Sequence, residues 1–546
     1  MVKEDERLDI VLTTDRSMMT NHHGKEFLGF LTTGPIFVSL GPFQRLSEWF
    51  HVWLAAPKPK VDRLGRPREA PYGLRKIEAA LIDAGLKAAI IDPDYVPRYI
   101  KNGAKVLMLS HHDYFGLNPP SSTWAVIVGK EPLNAYLFKK MMSNLKPYID
   151  EAKKTNGLKI FVGGPSAWQW LYFPELMNYY GVDLVFDGEG DVAVVDLAKR
   201  ALNNEPLPRY VYLGRLDSPS IDEIRVIKGA SVNGLVEIGR GCPRSCAFCS
   251  VTLRALRWYP LSKIEEELKV NVRNGVVHGL IHAEDVPLYG SPTVIPKPEK
   301  LIELHKLVKR YYKTVAWSHT TLAAVLYGEK MQGKLMSKIA EIIEDENQDW
   351  WGAQVGLETG SRRLAKMIMP GKAAPYKIEN WWDVVTDALS IMHEIKLIPA
   401  LTIIVGLPGE TADDVNETIE LIERIRPYRS LVVPLFYVPM NHIRTDKEGW
   451  LYRYNLLPEH IELLRVVFRH SVYWARDIVN KFYLRGPLML PVRIGINYFI
   501  NYIEKRVKEI EDRLDEIMAN IRNQGIEQRF TPMKLVQEIN QAQVAS

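Results

Sequence analysis

Between the start of the chain and about residue 215, short apolar runs alternate with segments whose apolar positions recur at helical spacing. The runs cover residues 8–12, 87–91, 105–110, 158–162 and 182–186, and residues 72–85 carry the helical pattern. Buried strands separated by helices predict an α/β fold with a parallel, doubly wound, Rossmann-like sheet. Such sheets bind ligands beyond the carboxyl ends of their strands. Three polar or glycine-rich turns fall there: Ser110-His111-His112-Asp113, Gly163-Gly164-Pro165-Ser166 and Asp187-Gly188-Glu189-Gly190.

Residues 215–230 are polar and irregular, as a linker would be. From Gly234 to about Met440 strand and helix alternate again, with strands expected at 235–239, 279–283, 315–318, 352–357, 400–406 and 431–436. Six such units fit a partial (β/α)6 barrel of the TIM type, with chemistry at the carboxyl ends of the strands. From about residue 450 the pattern changes. Residues 459–483 read as one long helix, apolar around most of its circumference and carrying Arg465, Arg469, Arg476 and Lys481. A second aromatic and aliphatic run covers 494–503, and 504–523 reads as a charged, solvent-facing helix. The expected domains are 1–215, 230–445 and a helical region at 446–546.

Composition changes this picture little. At 546 residues and 47% hydrophobic, the chain has ample material for packed cores. Its net charge of +5 comes from 70 basic against 65 acidic residues, so no nucleic-acid partner is expected. No apolar run reaches the roughly 18–20 residues that span a bilayer, and the charged first residues lack a signal-peptide core. A cytoplasmic protein is expected, with any membrane contact peripheral and on the inner face. Residues 453–508 hold ten basic and four acidic side chains. That excess, on aromatic helices around Arg465, Arg469, Trp474, Tyr498 and Phe499, suits either an interfacial lipid contact or a helical cap on the barrel.

The candidate chemistry is concentrated in one loop. All three cysteines, Cys242, Cys246 and Cys249, lie in Gly241-Cys242-Pro243-Arg244-Ser245-Cys246-Ala247-Phe248-Cys249. Thiolates so closely spaced read as ligands for a soft metal or an iron–sulfur cluster. Four would close a structural site, whereas three leave one cluster iron open. Zinc completed by a distant histidine, with His278 and His282 nearest, is the alternative.

The C-x3-C-x2-C spacing, with the aromatic Phe248 before the third cysteine, resembles the signature of the radical SAM superfamily. The resemblance implies a [4Fe–4S] cluster whose open iron is chelated by S-adenosyl-L-methionine (SAM), a reducing electron donor, and a 5′-deoxyadenosyl radical. It also implies cofactor roles for residues at the strand ends. Glu284 and Asp285 would accept from the SAM ammonium, and Ser318 and His319 would face the substrate or the SAM carboxylate. Glu358, in Gly356-Leu357-Glu358-Thr359-Gly360-Ser361, would lie near the ribose. The backbone at Gly406, in Gly406-Leu407-Pro408-Gly409-Glu410-Thr411, would pack on adenine. Any one of Glu284, Glu358 or Glu410 could instead be a simple cap.

The first domain is similar to the cobalamin-binding-type domains that precede many radical SAM cores, with Gly163-Gly164 and Gly188-Glu189-Gly190 at the corresponding places. The cobalt-ligating motif D-x-H-x-x-G is replaced by Leu109-Ser110-His111-His112-Asp113-Tyr114-Phe115-Gly116. That departure disfavours a histidine-ligated cobalamin. As a whole the chain looks like archaeal tetraether-lipid ring synthases, relatives of hopanoid methylases. The likeness implies hydrogen abstraction from a lipid chain and closure of cyclopentane rings. A cobalamin-dependent methyltransferase is the alternative. Methylthiotransferases need cysteines for a second cluster, and none remain here. A non-enzymatic cluster-bearing scaffold is a third possibility.

Overall fold

A computed structural model describes residues 7–24, 26–35, 44–439 and 456–483, with scattered positions between 485 and 539. Contacts gather the chain into two compact units: Met1–Val236 with Ser262–Val277 and Ile526–Ser546, and Glu237–Leu261 with His278–Gly525.

The first unit is built on six parallel strands: β1 (Ile10–Thr13), β2 (Ala88–Ile90), β3 (Val106–Ser110), β4 (Lys159–Gly163), β5 (Leu184–Asp187) and β6 (Tyr210–Tyr212). Their order across the sheet is β2-β1-β3-β4-β5-β6, with every pairing parallel. The order reverses between β1 and β3, the switch point of a doubly wound sheet. Side chains alternate between two buried faces. On one, Ile10, Leu12, Val106, Met108 and Phe161 pack with Leu74 and Leu81 of helix Tyr72–Asp83 and with Leu197 of helix Ala193–Leu202. An aromatic group of Tyr114, Phe115, Phe138 and Trp170, in edge-to-face and tilted contact, forms a second part of the core.

All five strands expected from the sequence are present. β6 was not expected, because its three residues, flanked by polar turns, are too short to show alternation. Residues 215–230 are not a loose linker. Ile224, Ile227 and Ala230 are buried, the Lys76 ammonium donates to the Arg225 carbonyl, and Ala230–Ser231 pairs in parallel with Glu69–Ala70. The helix Leu261–Arg273 groups with this unit from Ser262 onward, through the buried Lys76–Glu267 ion pair and the Ser231–Asn271 hydrogen bonds. The first stretch of this unit thus runs on to Val236, inside a strand.

The strand β7 (Leu235–Glu237) leads into the second unit, where β8 (His278–His282), β9 (Thr314–Trp317), β10 (His319–Thr320), β11 (Trp351–Glu358), β12 (Leu397–Val405) and β13 (Leu431–Phe436) follow in chain order. One sheet runs β9-β8-β7 and the other β10-β11-β12-β13, joined where Ser318 alone separates β9 from β10. Sequential parallel order with intervening helices is that of a (β/α) barrel left open between first and last strands. All six expected strand positions are occupied. The helix Glu459–Ile478 packs on β13 instead of standing apart: Ser471 Oγ exchanges hydrogen bonds with the Val432 backbone, and Trp474 and Ile478 bury against Ile398. No described helix is long and apolar enough to cross a membrane.

Candidate active site

The cysteine loop leaves the barrel sheet after β7. Its two ends are tied by an antiparallel pair, Gly239 with Trp258 and Arg240 with Arg257. Glu237 anchors the pair, accepting from Arg240 Nε at 2.9 Å and from the Tyr259 hydroxyl at 2.6 Å. Gly241 opens the loop at φ +83°, and a Cβ there would stand 2.7 Å from the Ala255 carbonyl oxygen, so no other residue fits this turn.

Arg244, buried within the loop, holds it to the end of β8 and to the segment after helix Arg362–Ile368. Its Nε donates to Asp285 Oδ2 at 3.0 Å, and its Nη1 donates to the carbonyls of Gly371, Lys372 and Ala374. Asp285 also accepts from the Thr321 amide at 3.1 Å and from its hydroxyl at 2.7 Å. Both carboxylate oxygens of Asp285 are therefore engaged in the scaffold, which leaves Glu284, half-buried beside Cys249, as the carboxylate open to a ligand. Ser318 likewise works between strands: its hydroxyl donates to the Ala283 carbonyl and accepts from the Ala283 amide.

Glu358 has the most constrained backbone of the group. It sits at φ +66°, at a register shift between Gly356 and Glu358 in the β11–β12 pairing. A non-glycine residue in this region is strained. The bulge turns its carboxylate onto Lys372, whose ammonium donates to Oε1 at 3.1 Å, while Thr402 donates to Oε2. A Cβ on Gly356 would collide with both partners of this pair. The rest of the motif serves packing. The Gly360 amide bonds Thr418 Oγ1, Ser361 caps helix Arg362–Ile368, and its hydroxyl donates to Asp414.

Burial pushes all three thiols up, Cys242 to about 11 and Cys249 to about 12. Glu284 adds to the effect at Cys249, and Asp285 at Cys242. The Lys372 ammonium opposes it at all three. Although burial disfavours its charge, Lys372 is held cationic by Glu358 and by the thiols of Cys246 and Cys249. Ligation by a soft metal displaces thiol protons, and a nearby fixed cation favours the thiolates that result. Among the described residues, no three His, Cys, Asp or Glu side chains converge on one ion, the arrangement zinc requires. In a [4Fe–4S] cluster each thiolate takes a different iron, so thiols spaced along a loop suit it.

Gly406, at φ +80°, donates its amide to Glu410 Oε2 at 2.8 Å, as does Leu407 at 3.1 Å. Glu410 thus caps its own turn, the simpler of its two readings. His460, at the start of helix Glu459–Ile478, meets the same oxygen at 2.9 Å in full burial. Its Nδ1 accepts from the Leu457 amide, so Nε2 is the donor. Sequence reasoning missed His460 and Lys372, since neither stands in a motif. His319 is brought beside His282, ring centroids 5.8 Å apart, and its buried Nδ1 has no hydrogen-bond partner among the described residues. Burial lowers its pKa, while Glu284 raises it. Phe248 is half-buried. Trp474, expected at a lipid or barrel-mouth surface, is instead buried in the barrel wall with its indole on the Arg426 carbonyl. Tyr498 and Phe499 lie outside the described residues.

In the first unit, His111 sits at the switch point. Its Nδ1 accepts from the Asp113 amide at 2.8 Å, and its Nε2 faces the Asp15 carboxylate and, at 3.5 Å, Ser17 Oγ.

Residues 236–422 match the family model described as the Radical SAM superfamily. The chain carries a radical SAM domain. Such a domain works with a [4Fe–4S] cluster and SAM, and the donor set of the loop fits that cluster. Over 193 residues the chain is 25% identical to the probable threonylcarbamoyladenosine tRNA methylthiotransferase of Methanocaldococcus jannaschii, 35% of this chain and 41% of that one. Over 221 residues it is 25% identical to a tRNA-2-methylthio-N(6)-dimethylallyladenosine synthase of Herpetosiphon aurantiacus, 40% and 46% of the two chains. The chain therefore spans less than half the length of these relatives. Among solved structures it is similar to the radical S-adenosylmethionine methyltransferase TsrM from Kitasatospora setae, at a TM-score of 0.49 and 11% identity, covering 79% of this chain and 77% of that one.

Proposed function

We propose that the chain is a radical SAM enzyme that abstracts hydrogen from unactivated carbon, and that its substrate is an isoprenoid tetraether lipid in which it closes cyclopentane rings. The observation that carries the chemistry is the loop of Cys242, Cys246 and Cys249, held by Arg244 and Glu237 beside the buried Lys372–Glu358 pair. When bound, the cluster and SAM supply one electron and a primary carbon radical. The chain's own residues do the rest. The three thiols hold the cluster, and Lys372 sets a positive charge beside them. Glu284 accepts from the SAM ammonium, and the orphaned Nδ1 of His319 offers a second polar contact. The lipid reading is supported by the force of the reagent, which few substrates need more than a saturated chain, and by the likeness of the whole sequence to tetraether ring synthases. Methylthio transfer, the activity in the relatives' names, is disfavoured because every cysteine lies in one loop.

Anaerobic reconstitution with iron and sulfide, followed by reduction with SAM, tests the first half of the reading. Cluster and 5′-deoxyadenosine should both form, and both should vanish when the three cysteines become Ala. Tetraether lipid extracts test the second half, with a product lacking two hydrogens per ring expected. A product carrying an added methyl group would favour cobalamin-dependent methyl transfer, the reading that the switch-point sheet of the first unit supports.

A further inference from the structure

The chain contains 13 Trp and 16 Phe. Among the described residues, every Trp or Phe that is exposed lies within one stretch of the first unit: Phe30 at 43%, Trp49 at 61%, Phe50 at 45% and Trp53 at 48%. Three of them belong to helix Gln44–Ala55. Trp49 and Trp53, one turn apart, stack with centroids 6.4 Å apart, and Phe50 leans on Trp53 at 5.9 Å. The same helix is fastened by its other side. His51 and Ala55 are buried, the His51 ring bonds the Leu31 carbonyl, and Ala55 packs with Leu133 and Leu137. Its exposed aromatic side is thus a fixed feature of a seated helix.

A basic hairpin follows within a few residues. Residues 58–68 hold Lys58, Lys60, Arg63, Arg66 and Arg68 against the single acid Asp62. All five cations are exposed. The hairpin closes through Asp62 to Arg66 and Arg68 to Lys60 backbone bonds, with the Val61–Pro67 bridge between them. Asp62 accepts from the amides of Leu64 and Arg66. Of the cations, Lys58 pairs with Asp94, and Arg68 donates to the Asn274 carbonyl. Lys60 stands seven positions after Trp53, so they lie within about 25 Å of each other.

Aromatic side chains on one face of a seated helix, with a cationic hairpin within reach, are the chemistry of an anionic bilayer surface. Rings enter the interface while cations meet the headgroups. We infer that helix Gln44–Ala55 and the hairpin of residues 58–68 form a docking surface for an anionic lipid membrane. Five exposed hairpin cations, of which Lys58 is paired with Asp94, favour this occupant over an apolar protein groove or a second copy of the chain, neither of which calls for such charge. The inference goes beyond the proposed activity and holds whatever the substrate.

The test uses the full chain with vesicles of mixed phosphatidylcholine and phosphatidylglycerol, and vesicles of phosphatidylcholine alone. The wild type should sediment with the mixed vesicles, much less with the neutral ones, and less as salt rises. W49A/F50A/W53A and K60E/R63E/R66E should each weaken binding at least tenfold. Wild-type protein that ignores the mixed vesicles, or variants that bind as the wild type does, would overturn the inference. So would self-association that the aromatic variant abolishes. SAM cleavage without vesicles separates the two readings. Variants that lose binding but cleave SAM normally speak only to the docking surface, and wild-type protein that binds vesicles but never cleaves SAM sinks only the enzymatic reading.

Discussion

Lys372 and Glu358 show how strain, space and charge are spent on a single contact. Glu358 accepts a left-handed backbone, Gly356 gives up its side chain, and the result is an ion pair with both partners nearly out of solvent. Removing one member of such a pair strands a buried charge, typically at about 3–5 kcal/mol, whereas replacing both by apolar groups is often neutral. Glu358→Gln should therefore destabilise the cluster-free protein by that amount, and Glu358→Gln with Lys372→Met should recover most of the loss. Denaturant unfolding of the four proteins in a double-mutant cycle measures the coupling. Equal stability of the wild type and the Glu358→Gln variant would mean that the pair is not coupled. Lys372 was illegible in the sequence because a lone lysine in a loop carries no spacing signal. The cysteines were legible because three thiols in eight positions have few other uses.

At the scale of elements, two contacts fix helices to the strand ends that carry the site. The first is Asp414, which accepts from the Thr411 amide and hydroxyl, from Ser361 and from Arg363. Burial works against its charge, but these donors outweigh it and hold the carboxyl well below its ordinary range. A depressed carboxylate contributes stability that is present above the unfolded value of 3.8 and lost as pH falls toward the folded one. Asp414→Asn should cost about 1–3 kcal/mol at neutral pH, and its deficit against the wild type should shrink below pH 4, about where the unfolded carboxyl titrates. Urea midpoints across that range decide it, and a deficit that does not change with pH would assign the cost to packing. The second contact is His460 on Glu410. His460→Ala should speed amide exchange in residues 459–478 and in the Gly406–Leu407 turn together, because one carboxylate serves both. Exchange that rises in the helix alone would show the turn to be self-sufficient.

Across the whole molecule, strand order was the most legible property. Apolar runs announced eleven strands, and the structure places them in a switch-point sheet and an open sequential barrel. Domain limits were less legible. The segment at 215–230 looks polar, yet its few apolar side chains and its backbone carbonyls are held by Lys76 and Lys263, contacts that span up to about 150 positions of chain. No local pattern encodes such pairs. Helix Glu459–Ile478 was ambiguous for a related reason: an apolar helix reads the same whether lipid or a neighbouring strand covers it, and here β13 does.

The same scale frames the choice between ring closure and methyl transfer. A doubly wound sheet binds its ligand where strand order reverses, and in the first unit that point is occupied by protein. His111 Nδ1 accepts from the Asp113 amide and Nε2 turns to Asp15, with the ring packed on Tyr114 and Phe138. Coordination to cobalt would require breaking the contact with Asp15, whose Oδ1 would keep the Ser17 amide while its buried Oδ2 lost the imidazole. The histidine at the switch point is thus committed to Asp15 and to the backbone of its own loop. Protein reconstituted with hydroxocobalamin should accordingly show no histidine-dependent base-off spectrum, and His112→Ala should leave cobalt content unchanged. His111→Ala should lower stability through the loss of its contacts and leave the cobalt spectrum as it was. Stoichiometric cobalt that disappears in either variant would return the switch point to cofactor binding, and the reaction to methyl transfer.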